Sequence, residues 1–326
     1  MPVKLGVVFF SIVAFMDASL PQFFLFGVLK AGTTAIQHYF ENHKEVFLPE
    51  VKETLFFAHQ PGWEALAGPG QLHPVTRLAE YKACFASAKT GQLRGEICPV
   101  YMAYPNTTLA RMRSVYGDAL SEVKGLLVLR HPVERAYSHY LMNVKNLQET
   151  LSFAEAIQEE TRRNRHVMGW SPFFDYVFPG FYADAVRKFL AAVPQCRIWL
   201  YEDFKARPLE VLREMENFLE IAPLGRLPER RNVSGAPKNR RWQTFLVRPN
   251  GLKNMLKPVL PRPLRVRIKE YALNRNLSTT PLAPALYQDL LDHYREDIHA
   301  LNGLIEADVS HWLSDARAET SVTPTF

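Results

Sequence analysis

The sequence predicts an α/β fold in which helices cover both faces of a central, mainly parallel sheet. One observation is that short apolar segments typical of strands alternate with segments of helical spacing along most of the chain. A second is that the apolar run 23–26 leads through a turn with two glycines, Gly27 and Gly32, into a helical segment beginning near Thr33. Such a unit aims backbone N–H groups at one point, where the helix dipole favours an anion. We therefore expect a single P-loop-like domain.

The other elements follow from local spacing and capping signals. Ser152, with a glutamate three residues later, predicts a capping box, and Pro132 and Pro208 suit the first position of a helix. Asn106 or Thr107 is expected to cap a further helix. Predicted strands lie at 23–26, 45–48 (a strand or a turn), 93–97, 123–129 and 197–201, and predicted helices at 33–40, 78–88, 107–116, 132–140, from 152 onward, 182–192, 208–219 and 285–305.

Composition and charge narrow the class of protein. The 326 residues are ordinary for a soluble globular chain, and the three cysteines lie far apart without metal-ligand spacing, so a disulfide framework is not expected. The net charge of +6 is uneven, because residues 223–280 hold 14 Lys and Arg against two acids. This basic segment indicates an anionic ligand, an acidic acceptor or a membrane surface, or else a solvated face without a specific partner. Nucleic acid is not expected, since no signature of its recognition occurs.

The N-terminus leaves several interpretations open. Lys4 precedes an apolar run from 5 to 16, which is shorter than the roughly 20 residues that span a bilayer. The run can be a packed element, a signal or anchor, or the product of a misassigned start codon. We divide the chain into an apolar extension (1–21), one domain (22–313, with the basic segment 223–280 as an insert) and a polar tail (314–326). A cytoplasmic location is expected, or a membrane-associated or Golgi-lumenal one if the run is an anchor.

The first loop lacks the lysine that nucleotide triphosphatases need. Their loop reads GxxxxGK[ST], with its lysine on the phosphates and its hydroxyl on Mg²⁺. Here Thr33 stands at the lysine position, and Lys30 lies inside the loop. We expect the anion-binding turn to remain and the usual ATP–magnesium chemistry to be absent.

A second anion site is predicted where the strand 123–129 ends. Arg130 follows that strand, and the carboxyl ends of parallel strands are where such sheets bind ligands. Arginine holds a phosphate with two parallel hydrogen bonds. Ser138, two turns into the next helix, can add a hydroxyl if its helix face turns toward Arg130.

Together the two segments resemble the sulfotransferases that use 3′-phosphoadenosine 5′-phosphosulfate (PAPS). Residues 30–34 (KAGTT) resemble the family's KxGTT loop, and residues 129–140 (LRHPVERAYSHY) resemble its LR[ND]PxxRxxSxY segment, with His131 in place of Asn or Asp. Weaker similarities follow in the right order at 95–101, 180–182, 201–204, 297–301 and 308–313. The resemblance thus touches most of the chain from 22 to 313.

The resemblance implies transfer of the sulfuryl group of PAPS to a hydroxyl or amine, without a metal. Lys30 would stabilise the departing nucleotide, and Thr33 and Thr34 would bind the 5′-phosphate. Arg130 and Ser138 would bind the 3′-phosphate. Further candidate cofactor contacts are Ala31 and Gly32 in the loop, Tyr182, and Lys238 and Arg240 as the nearest counterparts of the family's substrate-loop lysines.

The base in this family is a histidine or, in members that act on glycosaminoglycans, a glutamate in an E-x-x-F-F context. Glu53 begins the run ETLFF, 23 residues after Lys30, so the chain resembles the carbohydrate branch and its bacterial relatives. His59 is the rival base. The lysine that carbohydrate enzymes often carry after the Glu of G-E-x-[ST]-P is Ile97 here, and Cys98 replaces the Ser or Thr, which counts against a heparan-like acceptor.

Two other classes remain open. One is a nucleotide or small-molecule kinase with a degenerate phosphate loop. The other is a non-catalytic nucleotide-binding or membrane-peripheral protein that uses the N-terminal run or the basic segment. The expected partners of an enzyme are PAPS, its product 3′,5′-adenosine bisphosphate (PAP), and a hydroxylated, possibly carbohydrate, acceptor.

Overall fold

The computed structural model describes residues 17–225, 235–247, 265, 268, 271–273, 275–278 and 281–314. The strands of these ranges form one five-stranded parallel sheet and one antiparallel pair. They are β1 (Phe23–Gly27), β2 (Val46–Phe47), β3 (Leu93–Ile97), β4 (Lys124–Leu129), β5 (Gln195–Leu200), β6 (Ala236–Pro237) and β7 (Leu277–Ser278).

The helices alternate with these strands as the sequence predicts. They are α1 (Thr33–Glu41), α2 (Leu78–Ala83), α3 (Pro105–Tyr116), α4 (Pro132–Lys145), α5 (Phe153–Ala156), α6 (Glu159–Val167), α7 (Ala183–Ala192), α8 (Tyr201–Ala206), α9 (Pro208–Leu219), α10 (Arg240–Val247) and α11 (Pro284–Asn302). The predicted α/β class with a parallel sheet is confirmed.

The central strand β1 shows how the sheet is covered on both faces. All five of its residues are buried, and successive side chains of a strand point to opposite faces. Phe23 packs edge-on against Phe40 of α1, with ring centroids 5.8 Å apart. Phe26 packs against Phe189 of α7 at 4.6 Å. The strand FFLFG, with its three phenylalanines, therefore lies in the core between two helical layers.

The helix starts test the local predictions. The capping box at Ser152 is present, and Pro132 and Pro208 open α4 and α9 as expected. The expected cap at Asn106 or Thr107 is wrong, because α3 begins at Pro105, two residues before the predicted start at 107, and its N-cap is Tyr104. Proline has its φ angle already fixed for a helix and has no N–H to leave unsatisfied there, so it takes the first position.

The sheet order β2-β3-β1-β4-β5 puts the site at a predictable place. The chain leaves β1 toward β2 and β3 on one side and returns to β4 and β5 on the other, so the strand order reverses at β1. Ligands of open parallel sheets bind at such a reversal, beyond the carboxyl ends of the strands. None of the described helices combines the length and apolar character that crossing a membrane requires. The predicted domain limits stay a prediction, since 1–16, 315–326 and much of the basic segment lie outside the described residues.

Candidate functional site

The turn after β1 is shaped by two left-handed residues. Lys30 has a φ of 71° and Gly32 a φ of 83°. A Cβ atom on Gly32 would lie 2.8 Å from the ring of Phe204, so glycine is required both by the backbone angle and by this close approach. Gly32 is also the N-cap of α1 and has no side chain to cap it. The first N–H groups of α1 are thus left for another acceptor, such as an anion.

Arg130 joins the carboxyl end of β4 to this turn. Its Nη1 donates to the carbonyl oxygen of Lys30 at 2.7 Å, and its guanidinium lies 4.6 Å above the ring of Tyr201. Its Nη2 is 3.4 Å from a carboxylate oxygen of Glu134. The buried Nε of Arg130 has no hydrogen-bond partner among the residues that the structure describes. A buried N–H of a cation without a partner is costly, which favours an anionic ligand here.

Ser138 lies on the side of α4 that turns toward Arg130. It is buried, and it follows Glu134 by four residues, so both share one face of the helix. Because Glu134 contacts Arg130, this face meets the predicted second anion site. The structure therefore brings Arg130, Ser138 and the turn of Lys30 to one edge of the sheet.

Three positively charged side chains lie near Lys30: Arg130, Lys145 and Lys52. Burial, and then the nearby charges of Arg130 and Lys145, lower the pKa of Lys30 to about 8. Lys52 donates from Nζ to the hydroxyl of Thr34 at 3.2 Å. Such a concentration of positive charge suits a ligand with several negative charges.

Glu53 lies next to this cluster, as the catalytic prediction requires. Burial raises the pKa of Glu53, whereas the charges of Lys52 and Lys30 oppose that rise. Its carboxylate is 3.9 Å from Nζ of Lys52, which itself contacts Thr34 of the loop. A carboxylate with a raised pKa beside a lysine with a lowered pKa can accept a proton near neutral pH.

His59, the rival base, is already engaged elsewhere. Its Nε2 lies 2.6 Å from a carboxylate oxygen of Glu64, and its ring packs edge-on against Trp63 at 6.3 Å. His59 is thus held within its own loop, and the choice between His59 and Glu53 as the base stays a prediction.

The other predicted contacts have identifiable partners within the protein. The hydroxyl of the buried Tyr182 donates to the carbonyl oxygen of Arg130 at 2.8 Å, so this side chain holds the backbone at the second anion site. Lys238 places its Nζ 3.3 Å from the carbonyl oxygen of Arg275, and Arg240 is exposed at the start of α10. A direct ligand contact of these three residues stays a prediction.

Sequence reasoning missed Lys145 and Lys52. Lys145 follows Ser138 by seven residues in α4, so helical periodicity places both on one face and could have indicated it. It also supports α10, because Gln243 donates to its carbonyl oxygen at 2.8 Å. Lys52 carried no signal beyond standing next to Glu53. No group of three or more potential metal-ligating side chains occurs in the described part of the chain, and the absence of a metal from the reaction stays a prediction.

Known proteins resemble this chain in sequence and in fold. No protein-family model matches the chain. A membrane-associated sulfotransferase of Dictyostelium discoideum is 27% identical over 147 residues, which are 43% of this chain and 28% of that protein. A crystal structure of a sulfotransferase from Alicyclobacillus acidocaldarius matches 90% of this chain and 99% of its own, with 25% identity and a TM-score of 0.67.

A structure of mouse sulfotransferase SULT7A1 complexed with PAP matches 92% of this chain and 90% of its own at 14% identity, with a TM-score of 0.44. This chain spans less than a third of the length of its Dictyostelium relative. The predicted relationship to the sulfotransferases, in sequence and in fold, is confirmed by the Dictyostelium and bacterial proteins.

Proposed function

We propose that this chain, a homologue of the sulfotransferases, is an enzyme that transfers the sulfuryl group of PAPS to a hydroxyl or amine. The observation that carries the proposal is the convergence of Lys30, Arg130 and the uncapped start of α1 next to Glu53. Bound PAPS would supply the sulfuryl group and PAP as the leaving group. Two features fit such an anion. The Nε of Arg130 has no hydrogen-bond partner among the described residues, and no side chain caps the start of α1.

The residues of the chain divide the work as follows. Glu53 accepts the proton of the acceptor as the acceptor's lone pair forms a new bond to sulfur. The bond between sulfur and the bridging oxygen breaks, and its electron pair stays on the 5′-phosphate oxygen of PAP. Lys30 and the N–H groups of α1 stabilise the charge that develops on that oxygen. Arg130 and Ser138 hold the 3′-phosphate, and Glu53 returns its proton to solvent after turnover.

We propose a carbohydrate or another hydroxylated metabolite as the acceptor. Glu53 stands in the ETLFF context that resembles the carbohydrate branch. Three aromatic rings also lie in contact after the Glu53 loop. Trp63 packs edge-on against Tyr104, with ring centroids 5.2 Å apart, and the ring of Tyr104 lies 6.4 Å from that of Phe178, which is 47% exposed. An exposed aromatic ring offers an apolar face to the apolar side of a sugar ring or to an aromatic acceptor.

The test of the proposed function is release of PAP from PAPS in the presence of a panel of simple glycosides and phenols. The unmodified protein should release PAP without added metal, and Lys30→Ala should reduce kcat by about 100- to 1,000-fold, as loss of one charge-stabilising donor does. Release of ADP from ATP and Mg²⁺, with no release of PAP, would overturn the proposal in favour of the kinase.

We also propose that α10 contacts an anionic membrane surface. Trp242 (48% exposed) and Phe245 stack at 5.3 Å on its outer face, and Arg240 and Arg241 are exposed beside them. Exposed aromatic rings beside arginines are typical of helices that lie in a lipid interface. The Dictyostelium relative is a membrane-associated sulfotransferase.

Co-sedimentation with vesicles tests this contact. The protein should sediment with phosphatidylserine–phosphatidylcholine vesicles and much less with phosphatidylcholine alone, and the double variant Trp242→Ser, Phe245→Ser should lose that binding. Equal sedimentation of the variant and the unmodified protein would rule out contact through α10. The cytoplasmic location stays a prediction.

A further inference from the structure

A carboxylate lies in the apolar core directly behind the loop that carries Glu53. Glu96 is the fourth residue of β3, pairs in register with Phe24 of β1, and is only 1% exposed. A buried carboxylate is costly unless hydrogen bonds satisfy its oxygens. The hydrogen-bond partners of Glu96 therefore indicate its role.

Three neutral hydroxyls satisfy Glu96 among the described residues. Thr54 donates to Oε1 at 2.5 Å, Tyr101 donates to the same oxygen at 2.8 Å, and Tyr81 donates to Oε2 at 2.6 Å. Burial raises the pKa of Glu96, and the three hydroxyls oppose that rise. The three donors belong to separate segments of the chain, so Glu96 connects these segments through hydrogen bonds.

Thr54 is the donor that connects Glu96 to the loop of Glu53, its neighbour in the sequence. It is fully buried, accepts from the backbone N–H of Phe56 at 3.3 Å, and accepts from Val75 N–H at its own carbonyl oxygen at 2.9 Å. Its neighbours Glu53 and Leu55 both have left-handed backbones, with φ of 54° and 58°. A non-glycine residue adopts that conformation only when surrounding contacts impose it.

We propose that Glu96 is a positioning residue, which acts through Thr54 to hold Glu53 toward Lys30. This inference rests on the proposed function, since it concerns the base of the same site. The hydrogen bond to Oε1 fixes Thr54, and the fixed Thr54 keeps its two neighbours in the left-handed region. The backbone of Glu53 then directs its carboxylate to the cluster of Lys30 and Lys52 rather than to solvent.

Tyr81 provides a matched control on the same carboxylate. It bonds to the other oxygen of Glu96 and belongs to α2, not to the Glu53 loop. Its ring stacks on Phe56 with centroids 4.3 Å apart, and Tyr81→Phe keeps that ring. A purely structural role of Glu96 predicts similar effects when either donor is removed, whereas a positioning role predicts an effect on turnover from Thr54 alone.

The experiment compares Thr54→Val, Thr54→Ser and Tyr81→Phe in PAP release from PAPS, PAP affinity and melting temperature. Thr54→Val should lower kcat by about 10- to 100-fold, because misplacement of a catalytic group by about 1 Å has such an effect. Its PAP affinity should stay within about twofold of the parent's.

Thr54→Ser keeps the hydroxyl, so its kcat should lie within about threefold of the parent's. Tyr81→Phe should lower the melting temperature but leave kcat within the same limit. In the Thr54→Val background, Glu96→Gln should change kcat by less than about twofold further.

Hydrogen–deuterium exchange of residues 50–58 gives a second readout that needs no activity. Exchange should accelerate in Thr54→Val and not in Thr54→Ser or Tyr81→Phe. Equal kcat and equal exchange in Thr54→Val and Tyr81→Phe would overturn the positioning role. A parent protein that releases no PAP would overturn the proposed function instead, and the exchange comparison would still decide whether Glu96 holds the loop.

Discussion

The proposed nucleotide side of the site (residues 28–34 and 130–138) and the proposed acceptor side (residues 52–58) differ in how their side chains are held. On the nucleotide side, each group is fixed by the element that carries it: the turn and α1 for Lys30, and β4 with α4 for Arg130 and Ser138. On the acceptor side, Glu53 lies in a loop that is held by a hydrogen bond from Thr54 to the distant Glu96. The proposed anion site is therefore built from local elements, whereas the proposed placement of Glu53 depends on the core.

The same contrast appears in the electrostatics. The nucleotide side gathers positive charge, and burial with the charges of Arg130 and Lys145 lowers the pKa of Lys30. On the acceptor side, burial raises the pKa of Glu53. The raised pKa helps Glu53 to accept a proton near neutral pH, and Lys30 keeps its charge below about pH 8.

The largest effect on turnover is expected from a substitution on the proposed acceptor side alone. Glu53→Gln should lower kcat by about 100- to 10,000-fold, as loss of a general base does. PAP affinity should change little, because the loop and Arg130 are untouched. Steady-state kinetics together with calorimetric titration of PAP measure both quantities. An equal loss of affinity and turnover would show that the two sides are not separable.

The pH profile sharpens this prediction. The kcat/KM of the unmodified enzyme should rise with pH as Glu53 loses its proton, and fall above about 8 as Lys30 loses its own. Bound PAPS favours the charged lysine, so the falling limb of kcat should lie at higher pH than that of kcat/KM. Glu53→Gln should lack the rising limb, and a rising limb that persists in this variant would assign it to another group.

A smaller effect should follow from breaking the nucleotide side at Gly32. Gly32→Ala adds a Cβ that would lie 2.8 Å from the ring of Phe204, and PAP affinity should fall by about 100-fold as the turn shifts. Gly91→Ala is the matched control, because Gly91 has nearly the same φ, 85°, with open space around it. Both variants carry the backbone strain, so loss of affinity in both would assign the effect to strain and not to the turn.

The smallest of these effects concerns the 3′-phosphate. Arg130→Ala should weaken PAP by about 10- to 30-fold, or roughly 1.4 to 2 kcal/mol. Binding of AMP, which lacks that phosphate, should change much less. Calorimetric titration of the two nucleotides measures the difference. A parallel loss for both nucleotides would mean that Arg130 acts only through its bond to the Lys30 carbonyl.

The sequence predicts the backbone elements of the proposed nucleotide side because their signals are contiguous, although it gives no direct sign of Lys52 or Lys145. The strand FFLFG, the glycine turn and Arg130 at the end of β4 each predict their own local structure, and the parallel sheet then brings them together. Helix starts at Pro132 and Ser152 were predicted for the same reason. The predicted start of α3 is two residues late because proline at position 105 outweighs the polar caps beside it.

The support of the acceptor side could not be predicted in this way. Glu96 and Thr54 are 42 residues apart, and no spacing rule relates a strand residue to a loop residue at that separation. The left-handed backbones of Glu53 and Leu55 are imposed by tertiary contacts and oppose their intrinsic preference. Glu53 itself was found only through its ETLFF context.

Thermal unfolding with PAP, in parallel with ATP and Mg²⁺, tests the central claim most directly. We expect PAP at about 100 times its Kd to stabilise the protein by about 2.7 kcal/mol without any metal, and Arg130→Ala to lose about half to two thirds of that gain at the same concentration. Stabilisation by ATP and Mg²⁺ with no response to PAP would contradict the account, because the site would then bind a triphosphate and not a 3′-phosphorylated nucleotide.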